Sequence, residues 1–148
     1  MLLVICSCNQ SRYAFDARQV VEVLPRAQLQ ALSGSSPWFG GLLIYRGEAV
    51  PVVDLTSLLA GIACPDRYSS RLVVVETDWG GTLRRLGFLA ERVGLLEWRE
   101  APDGHAGQTT SVGSLLLDGE EVLQLIDVGR LVSEDRQQIL FGTRAGRL

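Results

Sequence analysis

The sequence predicts a mostly β protein built as two small barrels with a few short helices, and three observations predict it. Runs of Val, Ile, Leu and aromatic residues, four to eight long, are punctuated by Gly, Pro, Asp and Ser along most of the 148 residues. Helical patterns are few and short. The stretch from Gly41 to Asp54, GLLIYRGEAVPVVD, is echoed by that from Gly113 to Asp127, GSLLLDGEEVLQLID, which carries one extra residue. Each copy spells strand, tight turn with Gly, strand and a short capped helix, so two similar hairpin units are expected. Two closed barrels also remove the exposed edges that so many short strands would otherwise leave.

Taken in order, the apolar runs place strands near 2–7, 11–15, 19–24, 41–46, 48–53, 71–77, 83–90, 93–98, 112–117 and 121–126. Asp54 ahead of Leu55-Thr56-Ser57-Leu58-Leu59-Ala60 reads as an N-cap, and Gly61 ends that helix. Asp127 ahead of Val128-Gly129-Arg130-Leu131-Val132 reads the same way. A last helix is expected from about Ser133 to Phe141, with Ile139, Leu140 and Phe141 to bury. The length suits one domain of two barrel subdomains, in which the two repeat hairpins are equivalent elements.

Composition narrows the function. Hydrophobic residues make up 47% of the chain and the mean hydropathy is +0.17, which leaves little for a disordered tail. All 14 basic residues are Arg, yet the net charge is −3 and the pI about 5.1. No basic field is available for a phosphate backbone, so nucleic acid is not the expected partner. The apolar run Leu2-Leu3-Val4-Ile5-Cys6 has no basic residues before it and ends at Asn9-Gln10-Ser11-Arg12, unlike a secretion signal. No stretch approaches the roughly 20 apolar residues of a membrane helix. A cytoplasmic protein without membrane insertion is expected, with Cys6, Cys8 and Cys64 as thiols.

No catalytic set emerges. His105 stands in the loop-like Pro102–Gly107 segment without a partner carboxylate or Cys at a telling spacing. Cys6 and Cys8 share one face of a strand, but a closed zinc site needs about four ligands, so they read as small core hydrophobes. Asp54 and Asp127 read as caps rather than an acid–base pair. Gly40-Gly41 and Gly80-Gly81 match no phosphate-binding fingerprint. Arg84-Arg85 with the acidic residues of 83–100 reads as a solvated strand face. No enzyme, cofactor or metal is expected.

One position breaks a local rule. The second copy has Asp118-Gly119 at its turn, where both residues tolerate positive φ. The first copy has Arg46-Gly47, and Arg gains nothing from such a turn. A functional demand on Arg46 is the natural explanation.

At these residues the sequence resembles the CheW-like coupling proteins of bacterial chemosensory systems, from about Leu3 to Leu131. The resemblance rests on Tyr13-Ala14-Phe15-Asp16 with Val20-Val21-Glu22-Val23. It continues through Gly41-Leu-Leu-Ile-Tyr-Arg46-Gly47 with Val50-Pro51-Val52-Val53-Asp54-Leu55, then Leu72–Val75, Gly87–Val93 and Gly113–Leu131. It implies two intertwined five-stranded SH3-like barrels with a hydrophobic groove between them. It also implies a non-enzymatic adaptor of a two-component chemotaxis pathway, recruited to membrane receptor arrays through its partners. Those partners would be a chemoreceptor cytoplasmic tip and the regulatory domain of a CheA-type histidine kinase. Val20, Glu22, Gly41, Arg46 and Gly47 fall at the family's partner-binding positions. Ile44-Tyr45 stands where many members have Asn-Leu, which points to an accessory pathway controlling surface behaviour or second-messenger synthesis. No response-regulator domain of the CheV type is expected. The competing readings are a small barrel enzyme or ligand-binding domain with a pocket between the barrels, and an oligonucleotide-binding barrel. The first lacks a polar catalytic set; the second lacks clustered Arg with interleaved aromatics.

Overall fold

The structure, a computed structural model, describes residues 1–67, 69–100, 112–118 and 121–141. His105 and its loop therefore lie outside the described residues, as does Gly119. The strands are β1 (Leu2–Cys8), β2 (Ser11–Asp16), β3 (Val20–Pro25), β4 (Phe39–Tyr45), β5 (Glu48–Asp54), β6 (Ser70–Trp79), β7 (Thr82–Trp98), β8 (Gly113–Asp118) and β9 (Glu121–Ile126). The helices are α1 (Leu55–Ala60), α2 (Val128–Leu131) and α3 (Glu134–Phe141). The mostly β expectation and all three helices stand.

Among the described residues nine strands replace the expected ten, because 83–90 and 93–98 are one strand. Arg92 and Gly94 take positive φ, 49° and 130°, and bend β7 instead of ending it. Before the bend β7 pairs antiparallel with β6, from Trp79↔Thr82 to Ser70↔Glu91. Beyond it β7 pairs with β1, from Ile5↔Leu95 to Leu2↔Trp98. The bend thus lets one strand serve both halves of a single nine-stranded sheet among the described residues.

The first half runs β4-β5-β7-β6-β3 and the second β7-β1-β2-β9-β8. Each has five strands when β7 is counted twice, but neither ladder closes into a barrel among the described residues. Two parallel pairings tie distant segments together, β5 with β7 and β2 with β9. The second half is therefore assembled from both ends of the chain, which is how the halves intertwine.

Period-two alternation sorts side chains into three cores. Val53, Val73, Val75, Leu86 and Phe88 from the first half meet Val4, Cys6, Cys8, Tyr13 and Phe15 from the second in a shared core. Phe15 and Phe88 meet there as a tilted pair, 5.3 Å between centroids. The alternate residues Val50, Val52, Leu72 and Val74 face a core under the first half. Leu3, Ile5 and Ala14 face one under the second. Strands covered on both faces need uninterrupted apolar runs, which accounts for Leu72–Val75 and for the high mean hydropathy. Helix α3 closes over the first half: Phe141 meets Trp79 edge-on at 5.5 Å and the Arg136 guanidinium lies 5.9 Å from the Trp38 ring.

All three cysteines are buried and free. Cys6 shares a hydrogen bond with Cys8, and this with burial holds its thiol well above the usual range; burial pushes Cys64 up as well. Among the described residues, no three of His, Cys, Asp and Glu converge on a metal position. Changing all three cysteines to alanine should cost about 1–2 kcal/mol per site, read from urea midpoints, with partner binding retained. Loss of binding in a still-folded variant would overturn the packing role.

Both capping aspartates perform as expected, with different weights. Asp127 is exposed and accepts from the Arg130 N–H at 3.3 Å. Asp54 is buried and accepts from Ser57 N–H at 3.0 Å and from Cys64 N–H at 3.0 Å. Asp54→Ala removes a cap and strands a buried donor, so it should cost roughly 2–4 kcal/mol, against about 1 kcal/mol for Asp127→Ala. Equal losses in chemical denaturation would contradict this.

Candidate partner-docking site

The β4–β5 hairpin positions the candidate residues. Tyr45 pairs with Glu48, so Arg46 and Gly47 form a two-residue loop. Their φ values are 50° and 78°, both positive as a type I′ turn requires. Gly adopts this freely; Arg does so at a cost of order 1 kcal/mol. In the second copy Asp118 pairs with Glu121, so Asp118 is the last strand residue and not a turn residue like Arg46. The extra residue of that copy lies in β8, ahead of its turn. The comparison of the two turns is thus displaced by one position, while the strain at Arg46 is visible directly.

Arg46 is 62% exposed, but it is not free. Its guanidinium meets Glu22 Oε1 on β3 at 3.1 Å and lies 4.9 Å from the centroid of the Tyr45 ring. The Tyr45 hydroxyl donates to the same Glu22 oxygen at 2.6 Å. That bond holds the Tyr45 phenol above its ordinary pKa, because ionisation would face it with the carboxylate. Arg85 approaches the Tyr45 ring as well, at 5.8 Å from its centroid. Arg85 also pairs with Glu76 at 3.2 Å and Glu48 at 3.6 Å. The expected solvated face at Arg84-Arg85 is therefore half-buried and engaged, Arg84 lying 4.7 Å from the Phe141 ring.

Strands β3 and β4, the outer strands of the first half, are thus bridged by side chains in place of a ladder. Residues 22, 45 and 46 meet across this gap, and the exposed Ile44 adjoins them on β4. Gly47 is exposed with open space at its Cα. Val20 sits on the same strand as Glu22, across a bulge, and packs toward the shared core. Gly41 is buried rather than presented. Its φ is 119° and an added Cβ would stand 2.6 Å from the Gln30 carbonyl oxygen, where Gln30 and Leu42 form a bridge. Tyr45 and Arg85 were not among the residues expected at the site; the only sequence signal for Tyr45 is its departure from Leu.

At the β7 bend a groove of about 580 Å³ is lined by Ser7, Gln10, Arg12, Arg67, Glu91 and Arg92, with Ile62 and Pro65 beside them. The groove at this bend is mostly polar.

Residues 2–136 match the CheW-like domain family. The chain belongs to the CheW-like family. The crystal structure of the scaffolding protein TtCheW from Thermoanaerobacter tengcongensis superposes with a TM-score of 0.74 at 17% identity. The match covers 91% of this chain and 89% of that one. At such identity the likeness shows the CheW-like fold. No curated protein matches. In this CheW-like chain, no helix among the described residues is long and apolar enough to cross a membrane.

Proposed function

We propose that this CheW-like chain is a non-enzymatic adaptor. It couples the cytoplasmic tip of a chemoreceptor to the regulatory domain of a CheA-type histidine kinase, and docks through the β3 and β4–β5 surface. The observation that carries the reading is Arg46 itself. It is an arginine kept at strained positive φ on an exposed turn, ordered by Glu22 and flanked by the exposed Ile44. Strain retained on a surface for no more than an exposed ion pair and one ring contact points to use. An ordered arginine beside an aliphatic side chain is a common kind of interface anchor.

Glu22, Arg46 and Gly47 supply the exposed contact. Val20 supports the strand beneath, and Gly41 keeps the hairpin in place through its backbone. Recruitment to receptor arrays at the membrane then comes from the partners alone. Ile44 gives this surface an exposed apolar side chain, with the buried Tyr45 behind it in place of Leu, which suits a receptor and kinase of an accessory pathway for surface behaviour or second-messenger synthesis.

The test is titration of the purified chain against a receptor cytoplasmic fragment and a kinase regulatory domain encoded by the same genome. Saturable binding to each, with kinase stimulation only when all three are mixed, is the expected result. Absence of binding to either overturns the reading.

A further inference from the structure

We infer that Tyr45 is the positioning residue of this docking surface: its hydroxyl pins Glu22, so that Glu22 and Arg46 meet a partner as one preformed ion pair. The inference rests on the docking role proposed above and adds to it a residue at which that surface is set.

The geometry is a relay. Tyr45 is buried, its ring packed among Leu43, Val50, Val52 and Val74, so its hydroxyl has a defined position at the surface. Glu22 Oε1 receives both that hydroxyl at 2.6 Å and the Arg46 guanidinium at 3.1 Å. Glu22 and Arg46 are long side chains at a surface, where an ion pair alone holds geometry poorly. A buried phenol with two rotatable bonds is rigid by comparison. The ring also carries the Arg46 guanidinium 4.9 Å from its centroid, so one side chain orders both members of the pair. Ordering them before the encounter removes part of the entropy that binding would otherwise lose.

The test is a double-mutant cycle on the full chain, with binding to the receptor fragment and the kinase regulatory domain as readout. Tyr45→Phe keeps the ring in the core and beneath the guanidinium and removes only the hydroxyl. It should weaken binding roughly threefold to tenfold, with the melting temperature within a few degrees of the parent. In a Glu22→Ala background the same change should have no further effect on affinity, because the relay is already cut. Equal losses in both backgrounds, or unchanged affinity of Tyr45→Phe while Glu22→Ala and Arg46→Ala weaken binding, overturn the positioning role and leave the docking surface standing. Unchanged affinity in Glu22→Ala and Arg46→Ala overturns the docking surface itself.

Discussion

Arg46→Glu should weaken assembly with receptor or kinase by well over tenfold while the protein melts within about 3 °C of the parent. Arg46 is largely exposed and its ion pair with Glu22 is a surface one, worth about 0–1 kcal/mol to folding. A change of 1 kcal/mol moves the melting temperature of a domain this size by only about 2–4 °C. Arg46→Ala removes the anchor and should cost binding roughly tenfold, in the range of interface arginines. Glutamate goes further because it places a carboxylate against Glu22. Arg46→Asn sharpens the comparison: asparagine tolerates positive φ better, so that variant should melt at or above the parent temperature and still bind poorly. A several-degree loss for Arg46→Ala with unchanged affinity would make the residue structural.

Gly41→Ala should produce the opposite signature, a fall in melting temperature of roughly 6–12 °C, with any loss of binding following the fold. The methyl would stand 2.6 Å from the Gln30 carbonyl oxygen at a φ of 119°. Neither backbone can yield without breaking the bridge in which Gln30 and Leu42 exchange N–H···O bonds at 2.9 Å. Strain of this kind costs about 3 kcal/mol, which at 2–4 °C per kcal/mol gives the stated shift. Measured well below its melting temperature, the variant should bind within about threefold of the parent. A strong binding defect in a fully folded Gly41→Ala protein would restore Gly41 as a contact. Together the two variants separate an exposed contact from a buried support within the proposed docking surface.

Much of the fold was legible because it is written locally. Alternating and continuous apolar runs located the strands, Asp54 and Asp127 marked two helix starts, and Arg46-Gly47 marked a turn. Arg46 stood out as a candidate for a related reason: a turn at positive φ tolerates few residue types, so an ill-suited one is conspicuous. The hydroxyl of Tyr45 offered no such signal, since a tyrosine ending an alternating strand is ordinary until its partner is known.

The sequence by itself determined which segments are extended, that the first hairpin turns at Arg46-Gly47, which aspartates cap, and that Arg46 is out of place. Only the tertiary structure decided which strands pair, that β7 bends at Arg92 and Gly94 to serve both halves, and that Gly41 is buried. It alone brought Glu22 to Tyr45 and Arg46. Residue types and periods encode what neighbours along the chain can satisfy among themselves. Glu22 and Tyr45 lie 23 residues apart, and β2 meets β9 across more than 100 residues, with Arg12 beside Leu123. Such pairings are settled by which apolar faces can be buried together, a property of the packed chain as a whole.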